Sequence, residues 1–213
     1  MCIRDRIVNV LYNLIDRIYI GHIDKIGSLA LTGVGVAMPL IMIISAFAAL
    51  AAMGGAPRAS IYLGKDDLKT AEKILGNSFS LLLIISLILS ISIYASLDKI
   101  LILFGASENT LSYAMDYMKI YVLGTVFVQL SIGLNSFITA QGFAKTSMYT
   151  VCIGAVLNIV LDPIFIFVFK MGVKGAALAT IISQAVSAIW VLMFLRGEST
   201  ILKLKKKNLS LIH

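Results

Sequence analysis

Residues Ala30 to Ala56 read ALTGVGVAMPLIMIISAFAALAAMGGA, without one charged side chain. An apolar run of about 18 residues or more is the mark of a helix that crosses a lipid bilayer. Phe79 to Leu97 is a second charge-free window. The 213-residue chain as a whole is 59% hydrophobic and 14% charged, with a mean hydropathy of +0.96. A soluble domain carries about 25% charged residues. The apolar runs are far longer than the strands of a membrane barrel, so the expected fold is an all-α membrane protein.

Dividing the chain at its polar stretches predicts six transmembrane helices, over about 7–21, 29–56, 77–97, 111–140, 147–169 and 176–195. Pro39 lies inside the second and is a candidate kink, while Gly54, Gly55 and Pro57 are expected to end it. The stretch Tyr62 to Gly76 reads as a polar, amphipathic connection. Asp66, Asp67 and Glu72 sit in it as solvated side chains with no chemistry assigned. Ile7 to Gly21 would span only about 21 Å against a hydrocarbon core of about 30 Å. The first helix is therefore expected to be shortened, with residues 1–6 (MCIRDR) a leader foreign to it. Residues 196–213 read as a polar, basic tail.

The net charge of +7 lies at the ends of the apolar runs, where topology determinants belong. Arg58, Lys65, Lys69, Lys73, Lys145, Arg196, Lys203 and Lys205 to Lys207 fall on the side of Arg4 and Arg6, whereas Lys25, Lys99, Lys170 and Lys174 fall on the other. The positive-inside rule then puts both ends of the chain in the cytoplasm of a multi-pass cell-membrane protein. No basic face interleaved with aromatic residues is present, so nucleic acid is not an expected partner. The two cysteines, Cys2 and Cys152, form no disulfide framework, and the isolated His22 and His213 form no metal site.

Ionisable groups at membrane depth are costly and mark functional sites. Asp16 and Asp162 are the acidic residues set well inside apolar runs. Asn9, Tyr12, Asn13 and Asp16 share one helical face, by offsets of three, four and seven. Such a stripe faces protein or water, either as a working site or as hydrogen-bonding glue. Asn158 lies one turn before Asp162, and Pro163 follows it. Proline removes a donor from the helix ladder, so freed carbonyls could join the carboxylate in a hard-cation cradle; alternatively, the carboxyl carries a proton, or is merely a satisfied group in a kinked helix. Thr180, Ser183, Gln184 and Ser187 make another polar stripe, which packing alone could also explain. Tyr113, Tyr117 and Tyr121 recur at four-residue spacing, followed by Gln129 and Asn135. Tyr121 is deep enough to line a cavity. No phosphate-binding loop or hydrolase motif occurs, so no enzyme activity and no cofactor are expected, and any transport would run on an ion gradient.

Several of these segments together resemble the multidrug and toxic compound extrusion (MATE) family. Tyr12-Asn13-Leu14-Ile15-Asp16-Arg17-Ile18-Tyr19-Ile20-Gly21 looks like its Y-N-x-x-D-x-x-F-x-G segment, and Ala30 to Pro39 like the start of its second helix. Gly54 to Lys65 is similar to the end of that helix, with Ala71 and Gly76 fitting the following loop. Leu157-Asn158-Ile159-Val160-Leu161-Asp162-Pro163-Ile164-Phe165-Ile166 resembles N-x-x-x-D-P-x-F-I, and Gly172 to Ala179 resembles G-x-x-G-A-A-x-A. The likeness covers Ile7 to Leu195. It implies one six-helix lobe of a twelve-helix exporter, with the tail opening the connection to a C-terminal lobe. It implies export of small amphipathic, often cationic drugs in exchange for H⁺ or Na⁺. The coupling site would map onto Asp16, Asn158, Asp162 and Thr180. Tyr12, Asn13, Gln129, Gln184 and either Tyr117 or Tyr121 would line the cavity. A lipid-linked oligosaccharide flippase of the same superfamily is the nearest alternative, but it calls for a more cationic cavity. A non-transporting scaffold would not need two buried aspartates with aligned asparagines.

Overall fold

The computed structural model describes residues 14–23 and 26–205. The leader, the start of the first helix with Asn9, Tyr12 and Asn13, and the tail beyond Lys205 lie outside the described residues. Helix α1 (residues 14–21) is followed by α2 (Gly27–Gly64), α3 (Leu68–Ala95), a short α4 (Leu97–Leu103), α5 (Glu108–Leu123), α6 (Thr125–Ala140), α7 (Ala144–Pro163), a π-helical turn (Ile164–Val168) and α8 (Val173–Arg196). The described secondary structure is helical throughout, as expected for a segment that must satisfy its backbone inside lipid.

Four of these spans are long and apolar enough to cross a membrane on their own: α2, α3, α7 with its π turn, and α8. α5 and α6 together are long and apolar enough for a further crossing, with a bend of 58° between them. The break falls at Gly124, in what reads as one helix over 111–140. A Cβ on Gly124 would come within 2.6 Å of Ile181 Cγ1, so α8 presses directly on the backbone at the bend.

Helix α2 is longer than its apolar run. It continues through both Pro39 and Pro57 to Gly64, about 57 Å at 1.5 Å per residue, and so projects beyond the hydrocarbon. Gly54, Gly55 and Pro57 do not end it. Gly55 serves contact instead: a Cβ there would meet Ser78 Oγ and come within 2.7 Å of Phe137 Cζ. The connection over 62–76 contracts to a turn at Lys65–Asp67. Asp66 takes a positive φ of 58°, and Asp67 caps α3 by accepting from the Thr70 amide at 3.1 Å. Those bonds hold the Asp67 carboxyl below the usual carboxylate range.

The helices pack around two apolar clusters, one toward each end of the bundle. Ala30, Val34, Met118, Val122, Ile166 and Ala176 belong to the first, at the end that carries the α4–α5 loop. Phe137, Leu134, Leu82, Leu75, Val191 and Leu195 belong to the second, at the end where α2, α6 and α8 finish. Arg58, Lys65, Lys69, Lys73, Lys145 and Arg196 gather at this second, basic end. Large apolar side chains such as Leu50, Leu87, Ile91 and Met193 point outward and are exposed, as lipid-facing residues are.

The polar tail is not free. Gln141 Oε1 accepts from Thr200 Oγ1 (2.8 Å), the Ile201 amide (2.9 Å) and the Leu202 amide (2.8 Å). Leu202 is fully buried, and the Leu204 amide donates to the Leu195 carbonyl at 2.9 Å. Glu72, expected to be solvated, is buried and pairs with Lys205 at 2.7 Å. Residues 197–205 thus form a strap folded across the basic end.

Candidate functional site

The site begins on α7. A four-residue step brings Asn158 and Asp162 onto one helix face, where Asn158 Nδ2 donates to Asp162 Oδ1 at 3.1 Å. The same Nδ2 lies 3.5 Å from Thr180 Oγ1 on α8. Thr180 in turn donates its hydroxyl to the Ala176 carbonyl one turn back, at 3.0 Å. The carboxyl of Asp16, on α1, lies beside that of Asp162. The four residues predicted as a coupling set therefore meet, from three helices. Asp162 is wholly buried, and Asp16 and Asn158 nearly so.

The electrostatics of this cluster are unbalanced. Asp16 Oδ1, Asp162 Oδ2 and Asn158 Oδ1 are buried acceptors that meet no donor. Two carboxyl groups in contact repel each other unless a proton or a cation lies between them. An all-oxygen set of this kind suits a proton or a hard monovalent cation and offers nothing to a soft metal. Among the described residues no group of three His, Cys, Asp or Glu side chains comes together.

Pro163 shapes the far side of the site. It has no N–H for the Ile159 carbonyl, and the chain leaves α7 through the π turn, where the Phe169 amide bonds Ile164 O at 2.9 Å. α8 packs onto this turn so closely that a Cβ on Gly175 would sit 2.7 Å from the Phe165 carbonyl carbon. Pro39, the other expected kink, lies within the continuous α2.

A cleft of about 470 Å³ adjoins the cluster and is lined by α2, α6, α7 and α8. Asn158 and Thr180 form its deep end, and Gln184 lines its wall, accepting a short hydrogen bond from Ser131. Gln129 is not among the lining residues. It is fully buried between helices, with Nε2 donating to the Ile44 carbonyl at 2.8 Å, so its amide ties α6 to α2. Tyr117 and Tyr121 stack on each other, ring centroids 6.0 Å apart, inside the apolar cluster at the other end, away from the cleft lining. Tyr12 and Asn13 lie outside the described residues. What the sequence reading missed is the hydroxyl character of the cleft, supplied by Ser60, Ser136, Thr139, Ser147 and Thr150. Ser147 and Thr150 share an i, i+3 spacing with Gly154 close behind, a pattern of small residues that could have drawn attention to this face.

The family model for MatE matches residues 2–164. This chain belongs to the MatE family. It is similar to the multidrug export protein MepA of Staphylococcus haemolyticus, 30% identical over 202 residues that cover 95% of the chain and 44% of that protein. Two solved structures described as outward-facing and inward-facing conformations of a multidrug resistance MATE family transporter of the MOP superfamily each match with a TM-score of 0.89 and 28% identity. The first covers 97% of this chain and 46% of that one, the second 99% and 46%. The chain thus spans a little under half the length of the MATE proteins it matches, and its fold is that of their N-terminal lobe. The family consists of membrane transporters, not enzymes.

Proposed function

We propose that this chain is the N-terminal lobe of a drug exporter driven by exchange for H⁺ or Na⁺, with Asp16, Asn158, Asp162 and Thr180 as the coupling site. The lobe spans residues 7–195. The segment from 196 leads to a second lobe that completes the substrate path. The observation that carries this reading is the buried contact of two carboxyl groups from different helices, with three acceptor oxygens left without donors. A scaffold would gain nothing from such a pair. An ion bound there offsets the repulsion and draws α1 toward α7; its departure leaves two like charges in contact. An ion with different affinity for the two resulting geometries can drive a transport cycle, and a drug that prefers one of them is coupled to it.

The matched MATE proteins are described as multidrug transporters, which supports small amphipathic, often cationic drugs as substrates. The intramembrane charges here are mainly acidic, with Arg17 and Lys119 the cations inside the predicted transmembrane segments, which favours cationic cargo over the pyrophosphate of a lipid-linked oligosaccharide. The basic end of the bundle faces the cytoplasm in this reading, by the positive-inside rule.

Asp162→Asn in the full-length protein tests the assignment. Ethidium efflux from a pump-deficient bacterium is expected to vanish while membrane insertion and abundance stay at wild-type levels. Wild-type efflux by this variant would sink the coupling site. Efflux of the unaltered protein with and without Na⁺, and with a protonophore, names the ion.

A further inference from the structure

Resting on the reading that the segment from 196 leads to a second lobe, we infer that residues 197–205 are a clamp fixed to this lobe, so that the movable joint between the lobes begins only after Lys205. A plain polar linker would sit free in water. Here burial alternates along the chain instead: Thr200, Leu202 and Leu204 are buried, while Ile201 and Lys205 are exposed. That is the period of an extended chain laid against a surface, one side in and one side out.

The clamp grips three helices. α3 and α8 both pack on α6, and the strap runs from the end of α8 over the end of α6 to the start of α3. On α6, Gln141 Nε2 donates to the Phe137 carbonyl at 3.1 Å. The amide is thereby turned so that its oxygen takes the Thr200 hydroxyl and the Ile201 and Leu202 amides together. On α3, Glu72 takes the Lys205 ammonium on one oxygen, and on the other accepts from the Lys203 amide at 3.4 Å. On α8, the Leu195 carbonyl accepts from the Leu204 amide. The two buried leucines join the apolar cluster of Leu75, Phe137, Val191 and Leu195, drawn from the same three helices.

This arrangement has a consequence for the length of the connection. Released, residues 197–205 could reach about 30 Å, and the second lobe would hang on a long, loose tether. Docked, they add nothing to its reach. Their release would also strand the buried Glu72 carboxylate without its partner and leave the Gln141 oxygen without its donors, so the clamp holds or opens as one unit. The basic ends of α3, α6 and α8 then move as one body with the point from which the second lobe is hung.

The test uses the full-length transporter. Hydrogen exchange at the Leu202 and Leu204 amides is followed with and without Na⁺, at neutral and acidic pH, and with ethidium. Both amides are expected to stay equally protected throughout, and the Leu202 amide to exchange about tenfold faster or more in Gln141→Leu. A flexible Gly-Ser insert of about six residues is then placed either between Thr200 and Ile201 or after Lys207. The first insert is expected to abolish ethidium efflux at wild-type abundance, and the second to leave efflux intact because it only lengthens the joint. Equal efflux from the two insertion variants, or loss from the insert after Lys207 alone, overturns the clamp. So does a Leu202 amide that opens when ion or drug is added, and this exchange comparison decides the matter by itself if the first insert fails to reach the membrane. The expected results in a protein whose Asp162→Asn still exports would leave the clamp standing and remove the coupling site. Loss of export in Asp162→Asn with two equally active insertion variants would do the reverse.

Discussion

Gly175→Ala is the smallest change that tests how the proposed coupling site is held together. A Cβ at Gly175 would lie 2.7 Å from the Phe165 carbonyl carbon, 2.8 Å from its oxygen and 3.0 Å from the Ile166 nitrogen. These are backbone atoms of the π turn and cannot rotate away. Ordinary contact begins near 3.4 Å, so α8 and the turn must separate by about 0.7 Å at the tightest point (3.4 less 2.7). Overpacking of this kind costs about 1–3 kcal/mol. The displacement is carried by the helix that bears Thr180, whose oxygen is already 3.5 Å from Asn158 Nδ2, at the limit for a hydrogen bond. Both a lower melting temperature and weaker ion-driven efflux are expected of the full-length Gly175→Ala protein, read by detergent-solubilised thermal melts and by ethidium efflux. Gly54→Ala is the matched control: nothing lies within 4 Å of its Cβ, and alanine favours the helix by up to about 1 kcal/mol, so it should be neutral or stabilising. Wild-type melting and efflux in Gly175→Ala would refute the claim that the α7–α8 seam positions the site.

Two further outcomes follow from the basic end. Gln141→Leu removes the acceptor shared by Thr200 and the Ile201 and Leu202 amides. An unpaired buried donor costs about 1–3 kcal/mol, so the strap should loosen and trypsin should cut at Lys203 and Lys205 faster than in wild type; an unchanged cleavage rate would show that the buried leucines alone hold it. At Asp67, the depressed carboxyl contributes to the start of α3 above its ordinary value of 3.8 and loses that contribution as pH falls through its lower folded value. Protection of the Thr70 amide against hydrogen exchange should therefore persist through the ordinary carboxylate value of 3.8 and be lost only at lower pH, and Asp67→Ala should be open at neutral pH.

The helical face of α7 was readable because it is local. Asn158 and Asp162 lie four residues apart, and a period of 3.6 puts them together whatever surrounds them. The cost of a carboxyl in an apolar run marks Asp16, but in the sequence only the likeness to a known family joins it to Asp162. Glu72 and Gln141 show the opposite case. Both look like ordinary loop or helix-end polar residues, and both turn out to hold the strap, through partners more than fifty residues away. Gln129 also looked like a cavity residue on pattern alone. Pattern cannot tell an amide that faces a cavity from one that bonds a neighbouring helix, and Gln129 does the latter.

From sequence alone came the membrane-spanning character, the placement of the long spans and the acidic residues set within them, because apolar length, charge distribution and helical period are carried by the chain one residue after another. The tertiary structure decided where those spans bend and end. The α5–α6 break falls at Gly124, where Ile181 occupies the space a side chain would need, and α2 runs on through Gly55 and Pro57, with Ser78 and Phe137 packed against the Gly55 backbone. It also decided that the polar stripes of α6, α7 and α8 line a common cleft with α2, while apolar residues of α2, α5, α8 and the π turn pack together at the other end. Those outcomes depend on which surfaces approach within a few ångströms, a non-local balance of packing and hydrogen bonding that the order of residues does not display.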